Sequence, residues 1–527
     1  MTKRILALLL GVLVFASLVI GCADTDKPAP ETAGPENTPG QAAANPEQPA
    51  AENDPNEGKT LTLLTSAETE SIDPTYCTAT ASWNYLMQVF EPLVYRDENM
   101  NLYGVLAESW EWVDGLTLKI NLRQGVKFHS GADFTAESVK LSFERVMSAP
   151  NTPNRAPIDI PFDGIEIIDD YTINFKLTET CPMLLYFFRT VYMLDPTVYT
   201  SVDPMTDVSK VSGTGPYRMT GFTTSESMTL EANEEYWGGA PKIKNAVFRL
   251  VPEASTRTAE LLAGTADIIQ NVSIDQLNTI ETDSTRVVAA GGGRDVGVAI
   301  RCDLEPFGDI RVRQALNYAI DKETINETLL SGYGEIYAGI CMPPNENTTD
   351  IAPYLYDPEK AKALLKEAGY ETGLEVTITT PDGRYVRDKE ISLVVAQYLQ
   401  EIGINATVET ADFSIITERK NNGTISNLFY FGLGGYFDGQ GELKWANTSV
   451  MQNGWKDETY LEKFSALSQT VDTAERAKLI AELQVYIHEQ APWIFLFRQP
   501  LFYGVGSNVD MVARRDENFQ VFYMTFK

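Results

Sequence analysis

The chain has 527 residues, of which 43% are hydrophobic, and a formal net charge of −31 at pH 7. This length predicts two to four domains and is ample for large hydrophobic cores. The excess of negative charge argues against a surface that binds nucleic acid or an anionic membrane, because both would be repelled.

Residues 1–22 have the three parts of a secretory signal peptide. A basic pair precedes an apolar run over residues 5–20, and a glycine and Cys22 follow it. The run is shorter than the roughly 20 residues that span a bilayer comfortably. A small residue before a lone cysteine resembles a lipobox, which implies that Cys22 receives a diacylglyceryl group whose two acyl chains anchor the chain to a membrane. The alternative is a soluble secreted protein with an incidental cysteine.

Residues 23–58 contain no aromatic residue and no aliphatic residue larger than alanine. Such a segment cannot bury enough apolar surface to offset the entropy of ordering, which predicts a disordered tether rich in Pro, Ala and Glu. The globular body then begins at Lys59. A lipid, a tether and a body together predict an exported protein anchored to the outer face of the cell membrane, on the periplasmic side where the envelope has an outer membrane.

Four cysteines remain in the body, namely Cys77, Cys181, Cys302 and Cys341. In an exported chain they allow up to two disulfides in three connectivities, among which the sequence does not choose. Their spacing is unlike that of paired CxxC zinc knuckles, so we interpret them as structural residues or free thiols. The chain has only two histidines, which argues against a histidine-ligated metal. We therefore predict neither a metal nor a cofactor.

The first elements of the body follow from simple patterns. Residues 61–64 predict a short apolar strand before the break at Asp73-Pro74. Apolar residues at every second position over 116–122 alternate with polar ones, which is the period of a strand with one buried face. Thr135 is placed to cap the helix that follows. The inner face of that helix is predicted to carry Val139, Phe143 and Val146.

Three motifs in this region are similar to those of a known family. LAESWEW, DGLTLKINLRQGVKFHSG and FTAESV, all within residues 91–147, resemble the signature of the family 5 extracellular solute-binding proteins, the receptors of peptide and nickel ABC importers. The resemblance implies an α/β, two-lobed periplasmic-binding-protein-like fold of class II, in the large form with three subdomains. It also implies a ligand cleft between the lobes and two crossover strands that act as a hinge.

The resemblance also divides the body into segments. GTGPYRM resembles the re-entry into the first lobe, the apolar alternation over 296–300 predicts a crossing strand, and APWIFLF resembles the strand that returns to the first lobe. The predicted segments are the lobe 1 core over 59–91, an inserted subdomain over 92–178, further lobe 1 core over 179–296, lobe 2 over 297–492 and a lobe 1 return over 493–527.

Lobe 2 carries patterns of alternating strands and helices. Helices are predicted to begin at Asp309 or Ile310, at Asp357 and at Asp472, each with a side chain suited to capping. A strand over 374–379, a helix and a further strand after Gly403 form a strand-helix-strand unit. Such units imply a partly parallel sheet with crossover helices.

In the resembled family, the loop after the first strand reaches the ligand cleft. This implies four candidate liners, Tyr76, Cys77, Thr78 and Trp83. The alternative for Trp83 is that it packs a helix. Peptide-binding relatives also use an aspartate, in a Trp-x-x-Asp-Tyr-type loop of the second lobe, to pair with the peptide's ammonium. The equivalent NLFYFGLGGYFDGQGELKWAN departs from that pattern, and it offers Asp438 for the ammonium, with aromatic walls at Phe431, Tyr436 and Trp445.

The loop PDGRYVRD resembles a GRY-x-x-D pattern found in one branch of the family. It implies that Arg384 takes a ligand carboxylate in a bidentate way, with Tyr385 beside it and Asp388 orienting it. The alternative is a surface loop with a solvated arginine.

The resemblance implies a monomeric substrate-binding lipoprotein that captures a small peptide or peptide-like solute and delivers it to an ABC permease with its ATPase subunits. One alternative is a receptor of the same fold that senses another solute, such as a metal chelate, a glycan or a signalling peptide. The other is a secreted hydrolase, for which the chain lacks HExxH, GxSxG and Ser-x-x-Lys motifs. We therefore predict a protein that is not an enzyme.

Overall fold

The computed structural model describes residues 58–149, 152, 160–341, 351–435, 438–447 and 453–527. Cys22 and residues 23–57, for which the sequence predicts a lipid anchor and a tether, lie outside the described residues. Within the described part of the chain, no helix is both long enough and apolar enough to cross a membrane.

The strands, in chain order, are β1 (Thr60–Thr65), β2 (Val94–Arg96), β3 (Leu102–Gly104), β4 (Ala107–Trp112), β5 (Thr117–Leu122), β6 (Phe162–Asp169), β7 (Thr172–Leu177), β8 (Tyr217–Thr223), β9 (Ser227–Ala232), β10 (Asn245–Leu250), β11 (Ile268–Ile269), β12 (Thr285–Ala290), β13 (Arg294–Ile300), β14 (Glu335–Ile336), β15 (Glu375–Thr380), β16 (Asn405–Thr410), β17 (Leu428–Gly434), β18 (Trp493–Arg498), β19 (Leu501–Gly506), β20 (Val509–Asp510) and β21 (Thr525–Phe526). The helices are α1 (Thr80–Leu86), α2 (Ala136–Ser148), α3 (Leu184–Phe188), α4 (Ala254–Leu262), α5 (Leu277–Ile280), α6 (Ile310–Tyr318), α7 (Lys322–Leu329), α8 (Pro358–Glu367), α9 (Asp388–Glu401), α10 (Phe413–Asn421), α11 (Gln440–Asn447), α12 (Glu458–Gln469) and α13 (Thr473–Gln490).

A seven-stranded sheet and a four-stranded sheet form the part that we call lobe 1. The first is ordered β12-β19-β11-β1-β10-β9-β8 and the second β4-β5-β7-β6. One continuous hydrophobic cluster joins the two sheets and includes Leu63 of β1 and Ile120 of β5, both fully buried. A smaller cluster around Leu64 covers the other face of β1, because successive side chains of a strand point to opposite faces.

The alternation over residues 116–122 forms β5, with one exception. Leu118, Ile120 and Leu122 are buried, but Leu116, which the alternation assigns to the same face, is 43% exposed. Leu116 precedes the strand and belongs to the turn at Asp114, whose Oδ1 accepts the Leu116 N–H at 2.8 Å. The predicted alternation is therefore correct, but β5 begins at Thr117, one residue after the start of the predicted alternation.

The predicted helix starts are confirmed by their caps. Asp309, Asp357 and Asp472 each accept a backbone N–H from the first turn of the helix that follows, at 2.8, 2.9 and 2.9 Å. Helix α2 begins directly after Thr135, and its residues Val139, Phe143 and Val146 are buried. Short polar side chains thus fix these boundaries by satisfying donors that a helix leaves unpaired.

A six-stranded sheet, ordered β14-β18-β13-β17-β15-β16, forms the part that we call lobe 2. β15 pairs in parallel with β16 and β17, and α9 is the crossover between β15 and β16, which confirms the predicted strand-helix-strand unit. Hydrophobic clusters cover both faces of the sheet, since Val298 of β13 belongs to one cluster and Ala299 to the other.

The chain passes between the two lobes at two adjacent places. β12 ends in the seven-stranded sheet, and β13 begins in the six-stranded sheet at Arg294, slightly before the predicted boundary at 297. The sequence predicts the return to lobe 1 at 493, but β18 pairs with β13 and β14 and is therefore a strand of lobe 2. The return comes at Leu501, where β19 pairs with β12.

Gly292 lies where the two crossings touch, and we expect Gly292→Ala to destabilise the protein. A Cβ at this position would lie 1.5 Å from the carbonyl oxygen of Gln499, so the two backbones would have to separate. The expected loss in the free energy of unfolding is about 1–3 kcal/mol, as for other overpacked sites. Urea denaturation measures it, with Gly434→Ala as the matched control, because nothing lies within 4 Å of a Cβ there. Equal stability of the two variants would contradict the expectation.

Cys77, Cys181, Cys302 and Cys341 are all free in this structure, so neither of the disulfides that the sequence allows is formed. Burial raises the pKa of the Cys77 and Cys181 thiols to about 11. Thiols with such a pKa are protonated at neutral pH and are poor nucleophiles.

Candidate functional site

The carboxyl ends of parallel strands from both lobes face each other. In lobe 2 the loops after β15 and β17 lie at one edge of the sheet, and in lobe 1 the segments after β1 and β11 lie at the opposing edge. Ligands of open α/β sheets bind outside this end of the strands. Both edges line one cavity of about 650 Å³. Its lining includes Ser66, Asn271 and Asp275 from lobe 1 and Arg384, Tyr385 and Arg387 from lobe 2.

Three ion pairs join the lobes around this cavity and the crossings. In two of them a lobe 2 arginine meets a lobe 1 carboxylate, and in the third the charges are reversed. The pairs are Arg387 with Asp275, Arg294 with Glu517 (3.7 Å) and Arg515 with Glu335 (2.9 Å). All six side chains are partly exposed, so each pair contributes modestly to stability. Together they hold the two edges in contact.

The GRY loop is fixed by Asp388 through the backbone. The Asp388 carboxylate accepts the N–H groups of Gly383, Arg384 and Tyr385, each at 2.9 Å, and does not contact the Arg384 guanidinium that the sequence analysis expects it to orient. Arg384 is exposed and lies 4.8 Å from the centre of the Phe413 ring. Arg384 therefore stands at the cavity wall without a carboxylate partner among the described residues.

Asp438 is paired with a second acid, Glu442. Asp438 is 1% exposed, and its Oδ1 accepts the Gly441 N–H at 2.6 Å, while Glu442 Oε2 accepts the Gly439 N–H at 3.0 Å. The Glu442 carboxyl is within hydrogen-bond reach of Asp438, whose Oδ2 meets no N–H or O–H donor of the described residues. Burial raises the pKa of the Asp438 carboxyl. Burial therefore extends the pH range over which Asp438 is protonated, while the Gly441 N–H opposes this effect.

Asp438 interacts electrostatically with a tyrosine of lobe 1 and with one arginine from each lobe. Burial, and after it the Asp438 charge, raises the pKa of Tyr186 to about 12. In turn Arg476 of lobe 2 and Arg96 of lobe 1 favour the ionised form of Asp438, against the effect of burial. Asp438 thus interacts electrostatically with residues of both lobes.

The four residues of lobe 1 that are predicted to line the cleft differ in how exposed they are. Thr78 is exposed, and Trp83 is half-buried and stacks on Tyr192 with ring centres 5.2 Å apart. Tyr76 is half-buried, and its hydroxyl donates to the Val202 carbonyl. Cys77 is fully buried, so it cannot line the cleft in this structure. Its burial follows from the turn that begins at the capping Asp73 and directs the thiol inward.

The aromatic walls predicted in lobe 2 receive less support. Phe431 is 7% exposed and packs on Trp493 in the hydrophobic cluster on one face of the sheet, so it is a core residue. Tyr436 and the side chain of Trp445 lie outside the described residues. Tyr385 is buried beside Gly432, and its exposed edge lines the cavity.

No sequence motif indicates the groups that interact electrostatically with Asp438, namely Arg96, Tyr186 and Arg476. Burial, and after it the charge of Arg189, lowers the pKa of Arg96 to about 10. These residues come from distant parts of the chain and match no motif, so no pattern in the sequence indicates their proximity. The sequence feature that comes nearest to such a pattern is Arg96, the charged residue at the end of the short strand β2.

The histidines serve structural roles. His129 Nε2 is 2.9 Å from the Gly215 carbonyl oxygen, and His488 Nδ1 is 3.2 Å from that of Ala338. Within the described ranges, no group of three or more His, Cys, Asp or Glu side chains is arranged to hold a metal ion.

The chain is similar to known solute-binding proteins over most of its length. Heme-binding protein A of Haemophilus influenzae is 30% identical over 482 residues, which cover 83% of this chain and 86% of that protein. Glutathione-binding protein GsiB of Pectobacterium atrosepticum is 29% identical over 453 residues, covering 82% of this chain and 87% of that protein.

The solved structure of the periplasmic binding protein DppA from Helicobacter pylori, in complex with the peptide STSA, superposes with a TM-score of 0.70. It covers 89% of this chain and 98% of that chain at 24% identity, and it confirms the predicted two-lobed fold. The family model of bacterial extracellular solute-binding proteins, family 5 (middle region), matches residues 101–454. The chain therefore belongs to family 5 of the bacterial extracellular solute-binding proteins.

Proposed function

We propose that this chain is the substrate-binding lipoprotein of an ABC importer and captures an oligopeptide or peptide-like solute between its lobes. The observation that carries the proposal is the buried acid pair of Asp438 and Glu442 at the lobe boundary. A desolvated ammonium needs a charged acceptor, and this pair supplies one. The peptide named with one similar structure and the glutathione named for one relative support a peptide-like ligand.

Capture follows from the contacts between the lobes. A ligand favours the closed form only through the extra contacts that it makes there. The ammonium would bind Asp438 on lobe 2, and groups of lobe 1 such as Tyr186 and Trp83 would cover it. The ion pairs Arg387–Asp275 and Arg515–Glu335 would then add to the stability of the closed form without contacting the ligand.

The remaining parts of the proposal concern the chain as a whole. The protein would be a monomer without catalytic activity, exported and anchored through a lipid on Cys22, and it would deliver its ligand to a permease driven by ATPase subunits. The free cysteines with raised pKa offer no activated nucleophile, which supports a binding role.

Native mass spectrometry of the full chain, followed by X-ray scattering with a panel of tripeptides, tests the proposal. We expect a retained or added peptide, unchanged in mass, and a smaller radius of gyration in its presence. Peptides that are cleaved, or a radius that no peptide changes, would overturn it.

Binding should release a proton, so peptide affinity should rise with pH. Below its raised pKa the Asp438 carboxyl holds a proton that the ammonium must displace. The association constant should therefore increase by up to tenfold per pH unit and become constant above that pKa, until the peptide's own ammonium titrates near pH ~8. Calorimetry between pH 5 and 7.5, in buffers of different ionisation enthalpy, measures both effects. An N-acetylated peptide is the control and should show no such rise, whereas affinity that falls with pH would contradict the model of displacement.

A further inference from the structure

A second cavity of about 650 Å³ adjoins the cavity between the lobes. Its lining comes from lobe 2, at the carboxyl ends of the parallel strands β15 and β16 and at the start of α10. Asp382, Gly383 and Arg384 line both cavities, so the GRY loop is the wall between them. A ligand that reaches Arg384 from the cavity between the lobes therefore has this second space directly beside it.

The second cavity contains an exposed aromatic ring. Phe413, the first residue of α10, lines the cavity and is 41% exposed. The Arg384 guanidinium carbon lies 4.8 Å from the centre of the Phe413 ring, and the Tyr385 ring packs edge-on against it with the two centres 6.3 Å apart. The Phe413 ring is therefore already ordered, and a ligand that contacts it does not have to immobilise it.

Arg384 is positioned by the same two rings. Its guanidinium carbon lies 5.9 Å from the centre of the Tyr385 ring as well as 4.8 Å from that of Phe413. A planar guanidinium can lie on an aromatic ring and still bind a carboxylate through the N–H donors at its edge. A carboxylate bound to Arg384 would thus lie next to the Phe413 ring.

The charges around the second cavity favour an uncharged group in it. The other charged residues that line it are acids, Asp382, which pairs with Lys389 at 2.8 Å, and the exposed Asp412. These carboxylates disfavour an anion inside the cavity, while the positive charge of Arg384 disfavours a cation. An uncharged aromatic ring can pack against Phe413 and also lie close to the Arg384 guanidinium, and both contacts are favourable.

We propose that the second cavity binds an aromatic side chain on the carboxyl-terminal residue of the ligand, and that Phe413 determines this specificity. The inference rests on the proposed function and narrows its substrate class to peptides that end in Phe, Tyr or Trp. The terminal carboxylate binds Arg384, and the ring enters the second cavity against Phe413. Only the Cα and Cβ atoms separate these two groups in a terminal aromatic residue, so one residue reaches both sides of the wall.

Calorimetric titration of the full chain with tripeptides tests the inference. Ala-Ala-Phe should bind about tenfold more tightly than Ala-Ala-Ala, which corresponds to about 1.4 kcal/mol. In Phe413→Ala this preference should fall below about twofold, while the affinity for Ala-Ala-Ala is unchanged and shows that the variant is folded. Ile415→Ala is the matched control and should keep the preference, because Ile415 is 39% exposed on the same helix but lines neither cavity. Phe-Ala-Ala, with its ring at the other end, should bind the natural protein and Phe413→Ala equally.

The outcomes separate this inference from the proposed function. If the tripeptides bind with equal affinity, or if the preference persists in Phe413→Ala, the inference fails and peptide binding stands. An equal loss of affinity for every tripeptide in Phe413→Ala would mean that the ring acts only by holding Arg384, which also overturns the inference. Tighter binding of Ala-Ala-Lys than of Ala-Ala-Phe overturns it as well, since the cavity would then recognise a cation through its acids. If no tripeptide binds, the inference and the proposed function both fail.

Discussion

Replacing Asp438 with asparagine is expected to raise the Kd of a peptide with a free ammonium by about 100-fold. Asparagine keeps the acceptor for the Gly441 N–H, so the start of α11 should be preserved. It removes the charge of the Asp438 carboxylate, however, and truncating one partner of a buried charged contact costs about 2–5 kcal/mol. The midpoint of that range corresponds to more than a factor of 100 in Kd. Calorimetric titration of the full chain with a tripeptide measures the change.

The control is the same substitution at Asp114, an exposed residue in the β4–β5 turn that also accepts a backbone N–H. Asp114→Asn should bind the tripeptide as the natural protein does. Unchanged affinity in Asp438→Asn would mean that the acid pair does not receive the ammonium, and the proposed ligand geometry would have to be abandoned.

Local sequence patterns are sufficient to predict a strand or helix when the residues that determine it lie within or beside it. β5 follows from alternation, and α6, α8 and α13 begin where an aspartate caps the first turn. In each case the residues that determine the element are within a few positions of it. The physical cause, one buried face or a few unpaired N–H groups, is therefore visible without tertiary structure.

β18 shows where such patterns fail. All six of its residues are buried, because it lies inside a sheet that is covered on both faces. A strand of that kind has no polar alternation, so its sequence does not indicate which sheet it joins. The resemblance predicts that this strand returns to lobe 1, but hydrogen bonding to β13 keeps it in the six-stranded sheet of lobe 2.

The candidate site was predictable only in part, for a related reason. The motif around Arg384 and the choice of Asp438 follow from resemblance. Arg384 lines the cavity between the lobes, and Asp438 interacts electrostatically with Arg96 of lobe 1. The electrostatic interaction of Asp438 with Arg96 is produced by the packing of lobe against lobe. It depends on the whole fold and has no signature along the chain.

Replacing Arg145 with methionine is expected to lower the free energy of unfolding by about 3–5 kcal/mol. Its guanidinium meets both oxygens of Asp73, at 2.9 and 2.7 Å, and the two side chains are 2% and 0% exposed. Removing one partner of a buried ion pair leaves the other charge desolvated and uncompensated, which is the reason for the large cost. Urea denaturation of the full chain, followed by circular dichroism, measures the shift of the transition.

The consequence should extend from stability to the cleft. Arg145 also donates to the carbonyl oxygens of Ser201 and Asp203, so it ties the turn at Asp73 to a second segment of lobe 1. That turn leads directly to Tyr76 and Thr78, and a loosened turn should weaken ligand binding as well. The control is Lys176→Met, which removes a comparable 2.8 Å ion pair to Glu166 whose side chains are 42% and 47% exposed. Because water already solvates both of those charges, the control should denature at the natural midpoint. If the two methionine variants denatured alike, burial would not be what makes the Arg145–Asp73 pair important, and the turn would have to be held by the contacts of Asp73 with backbone N–H groups alone.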